Sequence, residues 1–223
     1  MFQTSPFSLI VLLVAMSLLP FVAMIATSYL KIVVVMSLIR NALGIQSIPP
    51  NMVINALAMI LTFYIMAPVI GESWDTLKAR ADAAGQNATY DTELIAEATE
   101  PFRNFLLRET QEKQVAFFTS TAERLWAKTD ENGEVIPAVV DPQSYYVLIP
   151  AFCVSELTKS FQIGFLVYLP FIAIDIIVSN ILLAMGMMMV SPVTISLPFK
   201  LLLFVMVNGW TLLIQGLVQS YIH

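Results

Sequence analysis

Few side chains in this sequence could perform covalent or metal chemistry, and their scarcity narrows the function at once. The one histidine is His223 and the one cysteine is Cys153, so neither an intrachain disulfide nor a Cys/His metal cluster can form. No glycine-rich phosphate loop is present, which argues against nucleotide hydrolysis by this chain. Asp175 stands alone in its apolar stretch, whereas an aspartyl protease needs two carboxylates sharing one proton. A serine acting with Lys159 is the remaining nucleophile arrangement, and nothing else supports it. The chain is therefore expected to be no enzyme, with no cofactor, no metal and no nucleic-acid partner.

What remains is a constellation suited to sealing and packing. Met185, Gly186, Met187, Met188, Met189, Val190, Ser191 and Pro192 follow one another between two long apolar stretches. Methionine is flexible, unbranched and polarizable, so a cluster at a helix-helix turn makes a soft apolar plug rather than a rigid wall. The rival reading is that methionine fills an irregular gap between packed helices.

The elements that must carry this turn belong to a membrane-class chain. Hydrophobic residues make up 58% of the sequence and charged residues 12%, against about 45–50% and about 25% in soluble domains. Charge is also segregated. Residues 71–144 hold fourteen of the sixteen acids and seven of the eleven bases, a net −7, and the rest of the chain carries +2. Three regions follow: an apolar helical hairpin over 1–70, an acidic helical module over 71–144, and a second apolar hairpin over 145–223. The expected fold is all-α, with four apolar segments and a small extracytoplasmic helical module between the second and third.

The first apolar stretch, Phe7 to Ile39, would be about 50 Å long as a helix, more than the roughly 30 Å hydrocarbon layer, and Pro20 should bend it. Arg40, Asn41, Gly44, Pro49 and Pro50 mark the turn that follows, because paired prolines cannot continue a helix. The next helix is expected over Met52–Ile70. In the acidic module, Val115, Phe118, Ala122, Leu125 and Trp126 recur with helical period, and Phe102, Phe105 and Leu106 start a second stripe after Pro101, a residue suited to a first turn. Asp82–Thr89 and Asp130–Gln143 read as loops. From Tyr145 the third apolar block is interrupted by Glu156, Lys159, Pro170 and Asp175. Each ionised group at mid-bilayer costs about 2.5–3.5 kcal/mol on insertion scales, so these charges must face protein or water. Pro192 and Pro198 mark the last turn, before a fourth block over Leu201–Ile222.

Lys31, Arg40 and Lys200 flank the two short connections, which sets those turns on the cytoplasmic side and the acidic module outside. No basic residue precedes Lys31, so the first helix is expected to be retained rather than cleaved as a signal peptide.

Five separated stretches, in order, resemble one family. They are Arg40-Asn41-Ala42-Leu43-Gly44 with Gln46 and Pro49-Pro50-Asn51; Pro150-Ala151-Phe152 with Ser155-Glu156-Leu157 and Phe161-Gln162-Ile163-Gly164-Phe165; Leu169-Pro170-Phe171 with Asp175; the methionine run; and Ser196-Leu197-Pro198-Phe199-Lys200. Together they resemble the FliP/SctR family of type III secretion export-gate proteins. Ser191-Pro192 with Thr194-Ile195-Ser196-Leu197-Pro198 is more similar to the injectisome branch, SctR, than to the flagellar one.

The resemblance implies a non-enzymatic subunit of the bacterial inner membrane, assembled as a homo-pentamer with SctS (FliQ-like), SctT (FliR-like) and SctU (FlhB-like) proteins, part of it projecting into the periplasm. It implies a channel for unfolded secretion substrates, closed by a gasket of Met185, Met187, Met188 and Met189. It further implies that Glu156 and Lys200 tie neighbouring subunits together, with Glu156–Lys159 on one helix as the bland alternative. Asp175 and Lys159 are expected as buried charges, Asp175 fixing packing rather than relaying protons. The competing class is a small-molecule or ion secondary transporter, which predicts repeated halves. Residues 7–70 lack the Glu, Asp and Met constellation of 145–222.

Overall fold

The computed structural model describes residues 6–45, 48–84, 92–129 and 135–222. Helices dominate: α1 (Pro6–Ile25), α2 (Tyr29–Ala42), α3 (Asn51–Ala84), α4 (Thr92–Glu109), α5 (Glu112–Leu125), α6 (Tyr145–Ala184), α7 (Pro192–Met206) and α8 (Gly209–Gln219), with two short antiparallel strands, β1 (Lys128–Thr129) and β2 (Val135–Ile136). Among the described residues, two helices, over Asn51–Arg80 and Tyr145–Ala184, are long and apolar enough to cross a membrane, and counting each of two bent helix pairs as one span raises the number to four. This is an all-α membrane-type fold.

The described residues fall into two compact units: Met1–Leu30 with Met66–Glu156, and Lys31–Ile65 with Leu157–His223. In the first, α4 and α5 are amphipathic and bury Ala98, Phe105, Leu106 and Ala122 together with Val147, Leu148, Ala151 and Phe152 from the start of α6. The Phe105 and Phe152 rings lie 5.8 Å apart, and Phe102 stacks on Tyr145 at 6.4 Å. Tyr145 donates its hydroxyl to the Thr99 carbonyl at 2.9 Å, and the Gln111 N–H between α4 and α5 donates to Ser155 Oγ at 3.0 Å. By contrast α1 exposes Leu13, Val14, Met16, Leu18 and Phe21, an apolar surface far too large for water.

In the second unit, Ile32, Val35, Met36 and Ile39 form the buried face of α2. Gly164 of α6 lies directly against Leu38, where an added Cβ would overlap the leucine side chain. That close approach needs a residue without a side chain. The Phe204 ring packs near Phe171 at 6.4 Å and edge-on to Trp210 at 5.4 Å.

Several boundaries differ from the sequence expectations for identifiable reasons. The first apolar stretch carries Pro20 inside α1 and breaks later, at residues 26–28, where Thr27 Oγ1 accepts from the Tyr29 N–H at 3.3 Å. A side-chain oxygen that serves a backbone donor there offers the chain an alternative to the helical ladder. The second helix continues through Ala84, well into the acidic window. Pro101 lies mid-helix, because α4 starts at Thr92 and its Ala98, Phe105 and Leu106 face is held by tertiary packing, which outweighs the lost backbone bond. One continuous α6 carries Glu156, Lys159, Pro170 and Asp175. The fourth block is split: Asn208 takes a left-handed conformation (φ 53°), and α7 and α8 meet at 60°. Residues 82–84 of the first expected loop are helical and 135–143 of the second are non-helical with the short β2, while Gln46, His223 and residues 85–89 and 130–134 lie outside the described residues.

Candidate functional site

The methionine turn is built by the end of α6. Gly186 has φ +74°, accepted at no steric cost only by glycine. Its N–H donates to the Leu183 carbonyl at 3.1 Å and the Met187 N–H donates to Leu182 at 2.9 Å. That pair of bonds is the Schellman arrangement, which satisfies the last carbonyls and turns the chain sharply away. Pro192 then opens α7 at its first position, where the missing N–H costs nothing. The methionines between them are left outside: Met185 is 67% exposed, Met187 42%, Met188 81% and Met189 99%. Within this chain they fill no interior gap.

Behind the turn, α6 and α7 are joined by a polar cluster. Lys200 Nζ donates to Asp175 Oδ2 at 2.6 Å and to the Ala42 carbonyl at 3.3 Å. Ser196 Oγ donates to Asp175 Oδ1 at 2.6 Å. Ser196 and Lys200 are four residues apart and so share one face of α7. Lys200 is 3% exposed, so its charge is tolerated only because carboxylate and carbonyl surround it. Ala42 is the last residue of α2, whose terminal carbonyls favour a cation. One ammonium thus ties together three helices: α2, α6 and α7.

The first connection lies against the same helix. Gly44 (φ +78°) stands within 3.6 Å of Leu197 measured from an added Cβ. Arg40 Nη1 donates to the Pro49 carbonyl at 3.3 Å and to Asn51 Oδ1, closing the turn around a cis Ile48–Pro49 bond. Asn41 is exposed, as is Pro50, and Pro49 is half-buried. Glu156 is fully buried and Lys159 half-buried on α6.

Sequence reasoning missed Lys31. Read as a topological charge, it is 1% exposed; its ammonium sits 3.6 Å from the Tyr221 ring centroid and donates to Ser220 Oγ at 3.4 Å. Ser160 Oγ donates to the Lys31 carbonyl at 3.5 Å. No local pattern announces a pairing between residues 31 and 221.

Two apolar recesses of about 350 and 370 Å³ also lie in this unit, one lined by Ile174, Ile177, Ile181, Ile195 and Phe199, the other by Pro170, Phe171, Leu203, Val207 and Leu212. Among the described residues, no group of three or more His, Cys, Asp or Glu side chains could hold a metal ion.

Comparison with known proteins adds a family to this geometry. A model of the FliP family matches residues 12–217. The chain is 50% identical to the Yop proteins translocation protein R of Yersinia pestis, over 96% of this chain and 95% of that protein. It is 47% identical to the hypersensitivity response secretion protein HrcR of Ralstonia nicotianae, over 96% of both. To the flagellar biosynthetic protein FliP of Pectobacterium carotovorum it is 43% identical, over 95% of this chain and 77% of that protein.

Proposed function

Because this chain belongs to the FliP family, in the injectisome branch that includes these Yersinia and Ralstonia proteins, we propose that it is the subunit that forms and seals the export gate of a type III secretion apparatus. Membership makes it a membrane component of the secretion machinery. The gate goes further: five copies, joined by SctS, SctT and SctU proteins in the bacterial inner membrane and projecting toward the periplasm, enclose a passage for unfolded polypeptides.

The observation that carries this reading is the exposure of Met185, Met187, Met188 and Met189 on one turn. Burying one such side chain is worth about 1.5–3 kcal/mol, so a turn holding four of them has a strong drive to meet apolar partners. Copies converging on a common axis supply those partners, and the ring of thioethers excludes ions by dewetting. Because methionine is flexible, the same ring can fold back around cargo of varied side chains. The Lys200–Asp175–Ser196 cluster holds the helices on either side of the turn in fixed register. Asp175 therefore acts in packing rather than in proton transfer.

Replacing Met187, Met188 and Met189 together by Ala is expected to make the resting complex conduct small ions in planar bilayers. Unchanged conductance would overturn the seal. Glu156 and Lys200 are assigned to the contact between neighbouring copies. Glu156 is 0% and Lys200 3% exposed within the single chain, so this contact requires assembly to uncover both groups. Glu156→Cys combined with Lys200→Cys should crosslink between chains, and purely intrachain products would defeat that assignment.

A further inference from the structure

The first unit carries two helix faces of opposite charge, and the second face is the negative image of the first. On α5 the exposed residues Lys113, Ala116, Phe117, Ser120 and Arg124 fall on one side, at spacings of three and four, so they form a single stripe. Phe117 is 58% exposed at its centre. The charges on this stripe are both positive, although residues 71–144 carry a net −7. Glu112 and Glu123 lie about a quarter of a turn round the helix, on its flank. On the last turns of α3, Glu72, Asp75, Ala79 and Asp82 are exposed at the same spacings, with Lys78 exposed on the flank between Asp75 and Asp82, and with small Gly71 beside them and no atom within 4 Å of an added Cβ there. Arg80, on the other side of α3, is engaged by Glu97.

We propose that the basic stripe of α5 docks antiparallel onto the acidic stripe of α3 in a second copy of this chain. Lengths support the register. Lys113 and Arg124 are eleven residues apart, about 16 Å along a helix, and Glu72 and Asp82 are ten apart, about 15 Å. Setting Lys113 beside Asp82 brings Arg124 to Glu72. Phe117, four residues beyond Lys113, then falls opposite residues 78 and 79, where Ala79 is small enough to receive the ring and exposed Lys78 stands on the flank. The second copy is the occupant because each chain holds both faces, exposed, and they complement each other in sign and span. Two different faces meeting make a head-to-tail contact, which closes into a ring when the rotation permits. Pairing like faces would set Glu72, Asp75 and Asp82 against their own copies, or Lys113 and Arg124 against theirs.

The inference rests on the multi-copy reading above, and the test separates the two. In a Cys153→Ser background, Phe117→Cys with Ala79→Cys is expressed with the whole secretion complex, purified from membranes and oxidised. A ladder of covalently joined copies is expected from the double variant and none from either single variant. A multi-copy complex with no ladder, or with only intrachain product, overturns the docking while the gate reading survives. A chain that purifies as a monomer or dimer overturns both. Lys113→Glu with Arg124→Glu should cut the crosslinked fraction about tenfold, and adding Glu72→Lys with Asp82→Lys should restore it; an undiminished ladder in the first variant overturns the charge pairing.

Discussion

Arg80 with Glu97 in the first unit and Lys200 with Asp175 in the second are both ion pairs joining two helices, yet their surroundings are opposite. The first pair is 49% and 39% exposed at its side chains, and the second 4% and 31%. Water and salt already solvate the Arg80 pair, so little is lost when it breaks. Lys200 has no such refuge, and breaking its pair leaves charge in a dry setting. The charge-rich module therefore draws its cohesion from Phe105, Leu106, Phe152 and their neighbours, whereas the charge-poor unit adds a few buried polar groups to the apolar face of Ile32, Val35, Met36 and Ile39. Counting charges along the sequence would have ranked the two units the other way round.

Substitutions break this contrast in a graded order, each readable by thermal unfolding of the detergent-solubilised protein. Lys200→Ala should cost about 3–5 kcal/mol, because Asp175 and the Ala42 carbonyl lose their common donor. Lys200→Met with Asp175→Leu should recover most of that, and a single-variant loss below about 1 kcal/mol would contradict the buried-pair account. Gly164→Leu should cost about 1–3 kcal/mol by forcing α6 away from Leu38, whereas Gly216→Ala, with open space around it, should be neutral or gain about 0.5–1 kcal/mol. Equal effects at the two glycines would remove the packing argument.

Smaller changes sharpen the comparison. Tyr221→Leu keeps the apolar contact and removes the ring face from Lys31, for an expected loss of about 1–2 kcal/mol; a silent Tyr221→Leu would mean that other partners of Lys31 suffice. At the bottom of the scale, Arg80→Ala should cost less than about 1 kcal/mol and less still at high salt. A larger, salt-insensitive loss would mean that the two units obey the same electrostatics after all.

Much of the fold was legible from local pattern. The helical period of Val115, Phe118 and Ala122 and the turn chemistry of Arg40, Gly44 and Pro49-Pro50 depend on neighbours in sequence. Pro101 and Pro170 misled, because a proline weakens a helix by a fixed local amount and the packing of its faces can exceed it. The site divides in the same way. Ser196 could have been found, standing one turn before Lys200 on a helix; Tyr221 could not, since nothing near residue 31 encodes a ring near residue 221.

Composition, charge segregation and ordered motifs determined by themselves that this is an all-α membrane protein of the FliP family, since those properties reside in the residues whatever their arrangement. Tertiary structure alone decided which charges are buried together, that Lys31 lies under an aromatic ring, and that the methionine side chains stand outside the chain that carries them. Burial and distance between remote residues are properties of packing, and packing is settled by the whole chain at once.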